Sequence, residues 1–185
     1  MNSIITTHTG GRFDILDPKV EDINIEDIAH ALSMQCRFNG HCSQFYSVAQ
    51  HSVRVASLLY DAGHGDRTTL RGLIHDATEA YLGDVITPLK DQLPQYREIE
   101  ERVNSVIEFR FNLFAENPEE KGLVKQADTA MLLAEARDLM PKTDLTWTRH
   151  DTTFDVSKIA KIFPQSPEDA KHTFMSFFYL VYKGD

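Results

Sequence analysis

Along most of this chain, apolar residues recur at three- and four-residue intervals, the spacing of helices with one buried face. The opening is different. MNSIITTHTGGRFDILDPKVEDIN holds Gly-Gly, Asp-Pro and β-branched residues, and reads as a turn or short β-hairpin ahead of a helical body. Asn24 then caps a short helix, IEDIAHALSMQ, with Asp27 at its third position. A polar turn, CRFNGHCS, follows. The pattern predicts a second helix from about Gln44 to Ala62. Val48, Val55 and Leu59 form its apolar stripe, Leu58 lies at the edge, and His51 points inward with them. A third helix is predicted from near Asp66 to Gly83, its inner face including Leu70, Leu73 or Ile74, and Ala77. A fourth begins near Gln92 or Pro94 and carries Ile99, Val103, Val106 and Ile107. In a fifth, Asn117 caps, Pro118 takes the first position and Pro141 closes the pattern. Its inner face is Leu123, Val124, Ala127 and Met131, with Asp128 among them. Residues 142–164 are polar and match no element. Ser166-Pro167 opens a last helix through FMSFFYLVY, where Phe174, Phe177, Phe178, Leu180 and Val181 surround much of the axis. Such a helix is either fully buried, or core on one side and subunit contact on the other. The expectation is one compact all-α domain spanning residues 1–185, a helical bundle with a short N-terminal hairpin or turn.

Charge narrows the function classes. The formal charge is −9 and Lys and Arg form no run, which argues against a nucleic-acid polymer as partner. A small phosphorylated substrate is still open to an acidic protein, because a metal ion can supply local positive charge. Cys36 and Cys42 are the only cysteines and make no disulfide framework; residues 1–24 do not read as a secretory signal. No stretch approaches the apolar length of a membrane span. The expected compartment is a reducing cytoplasm, without membrane attachment.

The candidate chemistry begins at LIHDATEAYLGD, where His75, Asp76 and Glu79 interrupt an apolar helical pattern. Buried charges are rare unless paired or bound to a metal. His51 and Asp128 fall on inward faces of two other helices. Any one of the four is ordinarily a hydrogen-bonded core histidine or a solvated carboxylate. Together on three helices, two imidazoles and two carboxylates make a mixed donor set for a divalent transition ion. Glu79, one helical turn beyond His75 and Asp76, is placed to orient or deprotonate a water or to protonate a leaving oxygen. A solvated Glu near a helix end is the competing reading.

His51, His75-Asp76 and Asp128, in that order, match the H…HD…D signature of the HD-domain metal-dependent phosphohydrolases, and the likeness spans roughly Asp27 to Met140. SVAQHSVRVA, HDATEAYLGDVITPLK and GLVKQADTAMLL resemble the corresponding segments of small HD proteins that act on deoxynucleotides. The resemblance implies an HD-domain bundle in which His51, His75, Asp76 and Asp128 hold one Co²⁺, Mn²⁺ or Zn²⁺, with Mg²⁺ as an additional phosphate-bound ion. It makes Glu79 the acid/base residue, sets Asp84 at the sugar 3′-hydroxyl, and gives Asp76 a catalytic as well as a ligating role. Arg37-Phe38 resembles an Arg-Trp pair of bacterial 5′-deoxynucleotidases, in which Arg meets phosphate and the ring favours deoxyribose; here Phe replaces Trp. Lys90 would reach phosphate, an exposed surface lysine being the plainer reading. DIAHALSMQCRFNGHCSQFYSVAQHS is similar to a branch that includes phage dATP triphosphohydrolases. That implies a nucleobase pocket at Cys36–Cys42, with Phe38 against the base and Asn39, His41 or nearby backbone reading its edge. It also implies a homo-oligomer, dimer or hexamer, in the cytoplasm, that of the host if the protein is phage-encoded.

Two other functions stay open on the residues. A 5′-deoxynucleotidase would use the same ligands on monophosphates. A catalytically silent nucleotide-binding sensor would be expected to have lost a ligand or Glu79, and this chain has lost neither.

Overall fold

The computed structural model describes residues 3–113, 117–142 and 152–184. The architecture is all-α with a small N-terminal hairpin. Strands β1 (Ile4–Thr6) and β2 (Arg12–Asp14) pair antiparallel, Ile5 opposite Phe13. Phe13 points inward and is fully buried, stacked on Tyr81 with ring centroids 3.9 Å apart. The hairpin tip is held by Asp27 on the first helix, whose carboxylate accepts from the Thr9 amide at 2.7 Å and the Thr9 hydroxyl at 2.9 Å. Two strands alone are marginal in water. Here the apolar edge of the pair and this buried carboxylate fix them onto the helices.

Eight helices follow among the described residues: α1 (Ile25–Met34), α2 (Val48–Asp61), α3 (Asp66–Leu73), α4 (Glu79–Leu82), α5 (Thr87–Lys90), α6 (Pro94–Arg110), α7 (Pro118–Leu139) and α8 (Pro167–Val181). Asn24, Asn117 and Ser166 cap α1, α7 and α8 through their side chains, the start signals the sequence carries. The centre is α2, which packs against α1, α3, α7 and α8. One face of α2 joins Phe13, Ile28, Leu32, Leu73, Ile107, Phe174 and Phe178 in the larger core cluster. Its other face, through Val55 and Leu59, joins Val124, Ala127, Met131 and Ala134 of α7 in the second. His51 sits between the two clusters with no solvent exposure. On α8, Phe174, Phe178 and Val181 are buried, while Tyr179 and Leu180 face outward. Among the described residues, no helix is long and apolar enough to cross a membrane.

The structure departs from the sequence pattern in three places. Helix α2 starts at Val48, not near Gln44. Ser47 caps it at 3.1 Å, and residues 44–46 stay outside the helix, where the Arg37 amide donates to the Tyr46 carbonyl and the Val48 amide to the Gln35 carbonyl. The third helix expected to Gly83 breaks after Leu73: Ile74 leaves the helical region (φ −106°, ψ 12°), residues 75–78 form tight turns, and α4 is a separate short helix. Helix α5 is not evident in the sequence pattern. Of the unassigned 142–164, residues 143–151 lie outside the described part. The remainder holds one 3₁₀ turn (Val156–Lys158) and runs along α2 and α7, where Ile162 is buried and Gln50 binds the backbone of Phe163 and Gln165.

The hairpin thus buttresses α4 through one aromatic pair. Phe13→Ala is expected to cost about 3–5 kcal/mol of stability. Urea unfolding monitored by circular dichroism checks this; a loss under 1 kcal/mol would show the hairpin to be an independent flap.

Candidate metal centre

His51 and His75 are each tied down by Nδ1. His51 Nδ1 lies 2.6 Å from Glu135 Oε1, and His75 Nδ1 lies 2.7 Å from the Gly72 carbonyl. A carbonyl oxygen only accepts, and so does an ionised carboxylate. Both Nδ1 atoms therefore carry hydrogen and donate, and in the neutral rings both Nε2 atoms present bare lone pairs. These two nitrogens face each other at 3.3 Å. Asp76 Oδ2 is 3.6 Å from the His51 nitrogen and 3.3 Å from that of His75. Asp128 Oδ1 is 3.3 Å and 3.9 Å from the same two atoms. Four electron-rich atoms converging in a mostly buried space repel one another unless a cation lies between them.

The spacings suit such a cation. Two ligands each about 2.1 Å from an ion lie about 3.0–3.4 Å apart for right-angle to tetrahedral arrangements. His51, His75 and Asp76 form the tight group, all ligand atoms within 4.8 Å. Asp128, from α7, completes the set. The break after Leu73 makes this possible. On a regular helix, adjacent side chains diverge by roughly 100°, so His75 and Asp76 would not share a target. Unwinding the chain over 75–78 lets both reach one point, and the His75 ring closes the end of α3 by bonding Gly72. The expected placement of His75, Asp76 and Glu79 on one continuous helix face is corrected accordingly.

The titrating groups record the same convergence. Burial and the Arg37 charge push His51 down, yet Glu135 and Asp128 outweigh them and raise it to about 9. Burial pushes Asp76 up, but His75, His51 and Arg37 hold it below its usual value. Asp128 is held lower still, against burial, by its bond to His51 and by the His75 charge. The carboxylates are thus held ionised by the positive charge of the side chains around them.

Glu79 behaves in the opposite way. It is 6% exposed, and among the described residues its Oε2 has no hydrogen-bond partner. Burial, then the negative charges of Asp76 and Asp84, push its carboxyl well above the usual range; Lys90, 3.8 Å from Oε1, opposes this. Lys90 is not a free surface lysine: its ammonium also bonds Glu100 at 2.6 Å. Asp84 follows Gly83, whose φ of +83° suits glycine and ends α4. Gln35 clamps this segment, donating to the Glu79 carbonyl at 2.9 Å and accepting from the Asp84 amide at 3.0 Å.

The turn after α1 enters the site only in part. The Arg37 guanidinium binds Glu135 at 3.1 Å and approaches Asp76 at 3.6 Å, so it is an anchored charge. It also lies 5.5 Å from the Phe38 ring centre. Phe38 and Asn39 both have positive φ, 57° and 50°. That is a strained conformation for non-glycine residues, and such strain gathers at functional sites. Asn39 and His41 are exposed on this turn, and Cys36 and Cys42 are free thiols 3.5 Å apart at its base. Beside the ligands, a cavity of about 280 Å³ is lined by His75, Asp76 and Asp128 together with Arg71, Lys121 and Lys125.

Three contributors are absent from the sequence reading: Glu135, Tyr46, which donates to Glu135 at 2.9 Å, and Gln35. Only Glu135 carried a signal. It lies seven residues after Asp128, on the same face of α7.

His75→Ala and Asp76→Ala each remove a bare donor at the centre. Both are expected to abolish stoichiometric Co²⁺ binding, read from its visible absorption and by calorimetry, while circular dichroism stays helical. Undiminished binding in either variant would sink the ligand assignment.

No protein-family model matches the chain. It is 38% identical over 176 residues to the uncharacterized protein YfdR of Escherichia coli (strain K12), covering 95% of this chain and 94% of that protein. It is also 42% identical over 137 residues to an uncharacterized protein of Rhodobacter capsulatus, 71% of this chain and 70% of that protein. At this identity over nearly the whole of both chains, the protein belongs to the same family as YfdR.

Proposed function

We propose that this protein is a metal-dependent phosphohydrolase of the HD type that acts on deoxynucleotides, with dATP favoured and deoxyadenosine and triphosphate as products. One observation carries the reading: two Nδ1-anchored histidines turn bare Nε2 atoms toward each other beside Asp76 and Asp128, next to a buried carboxyl, Glu79, that favours its protonated form. The preference for adenine rests on the likeness of the CRFNGHC turn to phage dATP triphosphohydrolases, and that for deoxyribose on the likeness of Arg37-Phe38 to the Arg-Trp pair of bacterial 5′-deoxynucleotidases. The choice of a triphosphate over a monophosphate rests on the likeness to the phage enzymes; the cavity beside the ligands adds room, while its Arg71 is paired with Glu108 and its Lys125 with Asp128.

His51, His75, Asp76 and Asp128 would hold the ion, Co²⁺, Mn²⁺ or Zn²⁺, with Mg²⁺ on the outer phosphates. When bound, the ion supplies Lewis acidity to a phosphoryl oxygen and lowers the pKa of water. A water attacks the α-phosphorus in line, and the bond to the 5′-oxygen breaks. Glu79 gives its proton to that leaving oxygen, and the proton lost by the water restores it. Arg37, fixed between Glu135 and Asp76, stabilises charge growing on the phosphoryl group. Asp84, held by Gln35, accepts from the 3′-hydroxyl. The same reading locates the protein in the cytoplasm, that of the host if phage-encoded, as a homodimer or hexamer.

Incubation with dATP, dGTP, dAMP and ATP plus Co²⁺ or Mn²⁺, followed by chromatography, tests the reaction. Deoxyadenosine and intact triphosphate from dATP are expected. Turnover of dAMP alone would instead make the protein a 5′-deoxynucleotidase, and tight nucleotide binding without turnover a sensor. Glu79→Gln is expected to lower kcat by about 10²–10⁴-fold with Mn²⁺ affinity unchanged. Full activity in that variant would remove Glu79 from the chemistry.

A further inference from the structure

Glu135 is fully buried, and the hydrogen bonds of its carboxylate run to His51, Tyr46 and Arg37. It occupies a core-facing position of α7, in line with Val124, Ala127, Met131 and Ala134 of the second apolar cluster. For stability alone, an apolar side chain of similar volume serves such a position as well or better, because burying a charge is costly even when it is paired. The contacts of this charge point instead to the metal centre.

The geometry around His51 is specific. One helix, α7, approaches both edges of the ring. Asp128 Oδ1 lies 3.3 Å from Nε2, and seven residues on, Glu135 Oε1 lies 2.6 Å from Nδ1. Two helical turns separate these residues along a common face, so a single rigid element sets the ring's tilt and its tautomer. The second oxygen of the same carboxylate, Oε2, accepts from Arg37 Nε at 3.1 Å. Arg37 begins the turn in which Phe38 and Asn39 hold positive φ, so its anchor is also the anchor of that turn.

We infer that Glu135 is the positioning residue of this site: one buried carboxylate orients the ligating imidazole of His51 with one oxygen and the Arg37 guanidinium with the other. Ion affinity and the placement of the phosphate-facing charge are then set together by α7. This rests on the metal-centre reading and not on the identity of the nucleotide. Tyr46 supports the carboxylate from a third direction and keeps it turned toward His51.

The test uses the metal alone. Calorimetric titration of the full-length protein with Mn²⁺, without nucleotide, is expected to show affinity lower by roughly 10–100-fold in Glu135→Gln. Glu135→Asp should recover part of it, and Tyr46→Phe should lose less than Glu135→Gln. Melting temperature is followed in parallel, because a purely structural role would lower it and leave affinity intact. Affinity within twofold of wild type in a folded Glu135→Gln protein would overturn the inference. Should that variant fail to fold, wild-type protein loaded with Zn²⁺ and ¹⁵N-labelled at histidine decides the matter. A protonated, strongly downfield Nδ1–H and a coordinated Nε2 on His51 are expected, and a ring coordinated through Nδ1 would overturn it. If the metal result holds while no nucleotide is hydrolysed, the proposed function fails and this inference stands.

Discussion

Two imidazole nitrogens facing each other at 3.3 Å in a buried space is the constraint around which this protein is arranged. Left to themselves, neutral histidines would rotate or exchange tautomers so that one ring donates to the other. Both are prevented, because Glu135 and the Gly72 carbonyl each claim an Nδ1–H. The fold then has to supply anchors on the outer side of both rings and negative oxygens on the inner side. Helix α2 brings His51 between the two core clusters, α7 brings Asp128 and Glu135, and the unwound segment after α3 brings His75 and Asp76 together. A divalent ion would resolve the repulsion at the centre; a proton on His51 does so only partly, and its raised pKa expresses that tension.

The break after Leu73 shows how local and tertiary preferences compete. Nothing between Leu73 and Leu82 forbids a helix: the residues are Ala, Glu, Leu and other tolerable formers, with no proline or glycine. Propensity is a weak prior, and here two tertiary demands override it. The His75 ring caps the last turn of α3 through Gly72, and Asp76 must share a target with its immediate neighbour. Glu79 resumes a helix one turn later, but its relation to His75 comes from the turn rather than from helical periodicity. The Phe13 stack on Tyr81 then holds α4 in place from outside.

These cases separate what a sequence can reveal from what it cannot. His51 and Asp128 were legible because each interrupts a periodic apolar stripe, and periodicity survives into the structure. The bundle and most helix starts were legible for the same reason, helped by Asn24, Asn117 and Ser166 at the caps. The helix break was not, because its cause is a hydrogen bond and a ligand geometry rather than a residue type. Gln35 was not, because its partners lie 44 and 49 residues away and a glutamine at a helix end has no periodic signature. Glu135 stood between these extremes: its offset of seven from Asp128 marks a shared face, but an acidic residue near a basic helix end reads first as a solvated charge.

Charge balance ties the site to its ion more tightly than the ligand set alone. The protein carries a formal charge of −9, a field that disfavours a polyanion at long range. Close to the site, three cations among the described residues are already matched. Arg37 is held between Glu135 and Asp76, Lys90 between Glu100 and Glu79, and Lys125 bonds Asp128. Asp84 adds a further carboxylate within the same electrostatic neighbourhood. The side chains by themselves therefore offer an approaching phosphate little net attraction. On the proposed function, a divalent ion would reverse this, both by its own charge and by engaging Asp76 and Asp128, freeing part of the positive field of Arg37 and Lys125 for the incoming oxygens. Recognition of a phosphate, and not only its cleavage, would then depend on a divalent ion held between His51 and His75.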